Sequence, residues 1–385
     1  MTAPTPLQRT IFRIAFALVG IGATVIASTL ESLTGYFGIA LENGGLFTGA
    51  FFIGGTLGIF IGGNLLDRTL SRPISVVGSG ILGVCLFLLT LIPANLAIVG
   101  FMCVVSMGIG YGFLVVSGNG LAPRYNPQNP ARELSAINFF FGLGAIIGPQ
   151  IANIAFNMGD FRVMYLMVGA LALLSATTFM YMPSIAPIAK SETAVKVVWV
   201  SLIPFGVMFF MYVGVEIGFS AWISPQLTLA ALADVSTGAI GISLFWTGMT
   251  LGRFITSLVA GKIASETLLL GGMGLVGAGV LGVLIFPTQI SVLLVLSFIV
   301  GFGCAPIFPL GMAILNSRYT QGFGAISGAI IAVGNSGAVV LPTLQGWAGR
   351  GVDGGMVVSL VAIIIALACA LVAMQKPQVD HARPV

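Results

Sequence analysis

The chain has 385 residues, of which 57% are hydrophobic and only 7% charged, and its mean hydropathy is +1.09. A water-solvated surface takes roughly 25% charged residues, so a soluble enzyme or soluble binding module is excluded and lipid is the expected solvent. The formal charge of +4 is no nucleic-acid signal, because the basic residues fall singly or in pairs between apolar runs and form no stripe.

A membrane-spanning helix needs about 20 mostly apolar residues. In chain order such runs predict helices over 12–34, 45–65, 74–93, 96–121, 135–157 and 162–182. Six more follow over 198–223, 236–258, 267–286, 289–314, 323–345 and 353–374. The first run lies behind Arg9 and Arg13 and is longer than the roughly 7–15 residues of a signal-peptide core, so it reads as a retained helix. Between runs stand short turn signals such as Pro93-Ala94-Asn95 and Gly159-Asp160. The longest polar break, Pro183 to Lys196, divides the chain near its middle. The predicted organisation is an all-α membrane protein with a six-helix half over 1–182, a cytoplasmic linker over 183–197 and a second six-helix half over 198–385.

Orientation follows from the basic residues, which concentrate on the cytoplasmic side. With the N-terminus inside, only Arg162 and Arg350 of the fifteen Lys and Arg fall outside, each close to an aspartate, Asp160 or Asp353. An even helix count returns the C-terminus to the cytoplasm, and a bacterial cell inner membrane is the expected location.

The two halves also repeat. Thr56-Leu57-Gly58 matches Thr250-Leu251-Gly252 at a shift of 194, and Arg124-Tyr125 matches Arg318-Tyr319 at the same shift. Gly108 matches Gly301, and Gly144-Ala145 with Pro149 matches Gly337-Ala338 with Pro342, both at 193. Four matches in register indicate a duplicated unit, an arrangement that places a substrate site between the halves near mid-membrane.

Cys85, Cys103, Cys304 and Cys369 sit in apolar stretches without a CxxC spacing, and the one histidine, His381, lies in the polar tail. These patterns predict no disulfide, metal centre or cofactor. No Walker-type phosphate loop is present, so direct ATP drive is not expected.

The loop Gly63-Asn64-Leu65-Leu66-Asp67-Arg68-Thr69-Leu70-Ser71-Arg72 resembles the loop signature of the major facilitator superfamily. Leu70 stands where the family has a second glycine, and the doubled basic end is reduced to Arg72. The resemblance implies a twelve-helix transporter fold and a gating role for Gly63, Asp67, Arg68 and Arg72. Asn138 to Pro149, Tyr212 to Trp222, Trp246 to Arg253 and Ala305-Pro306-Ile307-Phe308-Pro309 are similar to segments of the fucose–glucose–galactose permease group. One departure is Val115, which stands where proton-coupled fucose carriers have an acid, so that coupling scheme does not transfer.

Ionisable groups at membrane depth are functional candidates by default. Glu216 and Glu31 are the two acids that fall within the apolar runs, and Glu216 is expected to couple protons or bind substrate. Trp222 offers a ring suited to a sugar face, and Asn119, Asn138, Gln150 and Asn335 offer amides that both donate and accept hydrogen bonds. Arg253 near the end of helix eight reads as a gate or a residue reaching toward the interface. The predicted activity is proton-coupled or sodium-coupled transport of a small polar, sugar-like solute by a monomer, through alternating access. An exporter of amphipathic compounds on the same fold is the alternative, favoured by 27 Phe and 15 Met.

Overall fold

The computed structural model describes residues 4–66, 71–125, 128, 130–183, 199–319, 323–348 and 352–375. Backbone amides and carbonyls in lipid must be satisfied within the segment that carries them, and the apolar runs meet this by forming helices. Twelve of these, among the described residues, are long and apolar enough to cross a membrane. The first half comprises α1 (Pro6–Ser28), α2 (Leu30–Tyr36), α3 (Gly45–Leu66), α4 (Ser71–Leu91), α5 (Ala97–Tyr125), α6 (Pro130–Asn157) and α7 (Arg162–Met180). The second comprises α8 (Trp199–Pro225), α9 (Val235–Val259), α10 (Ser265–Ile285), α11 (Ile290–Cys304), α12 (Ile307–Arg318), α13 (Phe323–Ala348) and α14 (Val352–Gln375). The tenth span, Ile290–Arg318, is thus made of two helices, α11 and α12, and the short α2 follows the first span, Pro6–Ser28. From residue 184 onward the predicted linker lies outside the described residues.

Several helices begin or end beyond their apolar runs because caps carry them into polar sequence. At α1 the Gln8 amide donates to Thr5 Oγ1 at 3.2 Å, and the Thr5 amide donates to Gln8 Oε1 at 2.9 Å. This reciprocal cap satisfies two N–H groups that the first turn would leave unpaired. Pro130 opens α6, at a first position where a missing N–H costs nothing. The resulting extra turn brings Glu133 into the helix.

The repeat reappears as matched helix crossings. A Cβ at Gly144 on α6 would land on the carbonyl oxygen of Ala17 on α1, and a Cβ at Gly337 on α13 would land on that of Phe210 on α8. Gly108 on α5 meets Phe51 on α3 in the same way, and Gly301 on α11 meets Phe245 on α9. Each pair is one of the register matches in the sequence. Lipid gives helices no hydrophobic reason to associate, so close backbone approach at small residues supplies the packing.

Twelve spans bring the start of α1 and the end of α14 to one face, called here the terminal face. The contacts between halves gather toward the opposite, far face. A Cβ at Gly45 would strike the Pro342 carbonyl oxygen, and one at Gly346 would strike that of Glu42. Trp347 Nε1 donates to Asn43 Oδ1 at 3.0 Å. Along the other seam Gln150 Nε2 donates to Ser243 Oγ at 2.9 Å, and the Phe141 and Trp246 rings meet edge-on with centroids 5.9 Å apart. The halves are therefore sealed to each other from mid-depth to the far face. At that face Arg162 bonds Asp160 at 2.7 Å and lies 5.5 Å from the Tyr36 ring centroid. The Arg162 hydrogen bonds hold the Asp160 carboxyl below the usual carboxylate range. Arg350 and the side chain of Asp353 lie outside the described residues.

Candidate functional site

Residues four apart on a helix share a face, and α8 places Tyr212, Glu216 and Ser220 in one row. The row faces the join between α11 and α12. Pro306 has no N–H, so the tenth span cannot continue through Ala305-Pro306 with regular bonding. The Phe302 carbonyl that Pro306 would otherwise meet accepts from the Ala305 amide at 3.3 Å, and the carbonyl of Cys304, last residue of α11, accepts from the Tyr212 hydroxyl at 3.0 Å. Discontinuous spans of this kind line the substrate sites of many carriers, because freed backbone groups become available at mid-depth.

Glu216 is buried, with 9% of its surface exposed. Its carboxyl lies within electrostatic reach of Arg253 on α9 and beside the Tyr212 hydroxyl, whose proton goes to the Cys304 carbonyl. Tyr111 on α5, in the other half, and Cys304 also feel its charge. Arg253 is half-buried. Helical side chains lean toward their own N-terminus, which for α9 is the far face, so Arg253 leans into the membrane toward Glu216. The two do not close to a direct ion pair of 4 Å or less, and the charges stand apart across the junction between halves.

Glu31, on α2, ties the halves together. Its Oε1 accepts from Thr228 Oγ1 at 2.7 Å, and Ser224 supplies a second side-chain hydrogen bond. Both partners belong to the end of the seventh span. Gln150 joins the halves through Ser243, as described above. Trp222 is 4% exposed, with its Nε1 donating to the Pro342 carbonyl at 2.9 Å and Gly346 against its ring, so the indole is committed to the far seam. Asn119 and Asn138 are exposed and bond their own helices, at Val115 O and Leu134 O, each at 2.9 Å. Asn335 is half-buried on α13. Gly63 is half-buried against Val116 on α5, and Arg72 donates to the Met182 carbonyl at 2.8 Å, tying α4 to the end of the sixth span. Asp67 and Arg68 lie outside the described residues.

A third acid belongs with Glu31 and Glu216, and the apolar-run scan missed it. Glu133 has no exposed surface and is gripped by Arg13 at two points, Nε to Oε1 at 2.7 Å and Nη2 to Oε2 at 2.6 Å. The scan started helix five at 135 and left this residue in a loop. Pro130, three residues earlier, is the signal that places it in the first helical turn. Tyr212 and Tyr111 were missed as well, since nothing in a tyrosine's own sequence neighbourhood marks its hydroxyl as lining a site.

A polar row on α8, a broken tenth span opposite it and two six-helix repeats meeting at mid-depth define the arrangement of an alternating-access carrier. Residues 13–232 match the family described as the Major Facilitator Superfamily, and the chain belongs to it as a transporter. It is 25% identical over 266 residues to the MFS-type transporter SLC18B1 of Mus musculus, covering 62% of this chain and 56% of that protein. The chain spans between 56% and 65% of the length of the SLC18B1 relatives. It is also 26% identical over 332 residues to a candidate glucose/galactose transporter of Helicobacter pylori, covering 78% of this chain and 77% of that one. In fold it is similar to a bacterial homolog of the human lysosomal transporter Spinster, solved in an inward-facing and occupied conformation. That likeness has a TM-score of 0.76, with 15% identity and 98% of each chain covered.

Proposed function

We propose that this chain is a proton-coupled secondary transporter of a small polar, sugar-like solute. The single observation carrying the reading is Glu216, a buried carboxyl set between the halves, beside the Tyr212 hydroxyl and faced by an arginine that does not neutralise it by direct contact. A carboxyl in that position loads a proton when the site opens to one side and releases it when the site rehydrates from the other. Coupling then requires only that the two openings alternate, which the matched repeats supply. The Helicobacter pylori relative supports a hydroxyl-rich solute. The proposed orientation puts the terminal face in the cytoplasm of a bacterial inner membrane, which makes the far-sealed form inward-facing, and the transporter works as a monomer.

The test is reconstitution in liposomes, after a thermal-shift screen of sugars, sodium and amphipathic cations has supplied a ligand. With an imposed pH gradient the wild type accumulates solute, whereas Glu216→Gln only exchanges labelled solute across the bilayer. Accumulation by Glu216→Gln with normal pH dependence overturns the coupling role. Stabilisation by amphipathic cations and by no sugar replaces the sugar reading with export of such compounds, and a sodium requirement replaces the proton.

A further inference from the structure

Several arginines of the spans hold protein oxygens. Arg13 grips Glu133, Arg162 holds Asp160, and Arg72 and Arg318 each donate to backbone carbonyls. Arg253 differs. It makes no hydrogen bond or ion pair among the described residues, and its nitrogens are not sealed in by protein. A guanidinium at membrane depth is costly unless something pairs with it, and its planar fork matches a carboxylate at two points.

Its depth follows from its neighbours on the antiparallel helices α8 and α9. Trp246 Nε1 donates to Ser220 Oγ at 3.0 Å, so these two residues lie opposite each other. Arg253 is seven residues further along α9, about 10 Å nearer the terminal face, and the same rise back along α8 reaches Val213. The same count from the contact of Gly238 with Ser224 reaches Phe209. Arg253 thus stands level with Tyr212, one turn to the terminal side of Glu216 and beside the elbow of the tenth span. The titratable groups that feel its charge are Glu216, Tyr212 and Cys304, and Tyr111 of the other half faces Glu216 in turn. Of these four, Glu216 alone is an acid.

We propose that the solute is a sugar acid, whose carboxylate is bound by Arg253 and whose entry is tied to a proton on Glu216. The assignment rests on the coupling role of Glu216 and adds to it the charge of the solute. With the site empty, ionised Glu216 balances Arg253. With the site full, Glu216 is protonated and Arg253 balances the solute. Both forms are neutral. A site holding the proton alone carries one net positive charge, and a site holding the anion alone carries one net negative charge. Enclosing either in a low-dielectric interior is costly, so proton and solute cross together and the loaded carrier moves no net charge. In Glu216→Gln the empty form is the one left with an unbalanced arginine, which confines that variant to exchange.

The purified protein is titrated calorimetrically with glucuronate, galacturonate and gluconate, and with the neutral sugars glucose and galactose. At least one acid binds, more tightly as the pH falls, and the neutral sugars bind about tenfold more weakly or worse, the weight of a charged hydrogen bond. Arg253→Gln loses affinity for the acid by a similar factor, and Arg253→Lys keeps part of it. The wild type in liposomes supplies a reading that needs no variant: a pH gradient drives accumulation of the acid, and a potassium–valinomycin potential alone drives none. Binding of none of the three acids, neutral sugars bound as tightly as the acids, full affinity in Arg253→Gln, or accumulation driven by the potential alone each overturns the proposal. Failure of the Glu216 reading has a different signature. The acid then binds without regard to pH and Glu216→Gln accumulates it, while the loss in Arg253→Gln remains.

Discussion

Arg13 and Glu133 lie 120 positions apart and nothing in the sequence joins them, yet the structure makes them the clearest ion pair of the first half. Glu133 is wholly buried while Arg13 keeps 26% of its side chain exposed. The site in the first turn of α6 adds the favourable end of the helix dipole to the arginine's two hydrogen bonds. The pair is therefore lopsided. Removing the arginine strands a buried charge, which costs about 3 kcal/mol, whereas removing the carboxylate leaves a cation that still reaches water. Arg13→Ala should accordingly lower the thermal midpoint of the purified protein more than Glu133→Gln does, and Arg13→Ala combined with Glu133→Gln should recover part of the loss. Equal effects of the two single changes would show that the pair is not buried as described.

For the helices, apolar run length was enough to find every span, because lipid thickness sets a length that few other structures share. The duplication was legible too, since a glycine that touches a neighbour's backbone cannot be replaced by a larger residue in either copy. Two matched crossings give a direct check. Alanine at Gly144 or Gly337 drives a methyl into a carbonyl and should destabilise by about 1–3 kcal/mol. Gly80 has nothing within 4 Å of its Cβ position, and alanine there should be neutral or mildly stabilising, as helix propensity favours it. Thermal unfolding of the three variants separates the cases, and similar losses in all three would refute the crossing geometry. What periodicity could not show was which polar residues converge. Trp222 and Glu216 are neighbours in the sequence and on one helix, but Trp222 is bound into the far seam, while Glu216 finds Tyr111 and Arg253 on two other spans.

Across the whole molecule, the halves are closed against each other where α3 meets α13. A Cβ at Gly49 would stand 3.5 Å from Val339 Cγ1, the place a cysteine sulfur at 339 can take, so the two positions are near enough to test for a disulfide. Gly49→Cys with Val339→Cys, in a background lacking the four native cysteines, should cross-link on oxidation and halt transport, and reduction should restore it. A complete cross-link with undiminished transport would show that this seam never opens.

The interruption at Cys304–Pro306 has a mechanical consequence. α12 has 12 residues and is about 18 Å long, too short to cross the bilayer, so it amounts to a short lever on the terminal side of an elbow. The Tyr212 hydroxyl pins the α11 side of that elbow. The matching region of α5 is one unbroken rod from Ala97 to Tyr125. The duplicated halves therefore differ here: the fourth span is continuous where the tenth has an elbow, and the short piece beyond the elbow is held at its terminal end by Arg318, which donates to the Ala373 and Met374 carbonyls of α14. Between the matched fourth and tenth spans, a bend at mid-depth is a feature of the second half and not of the first.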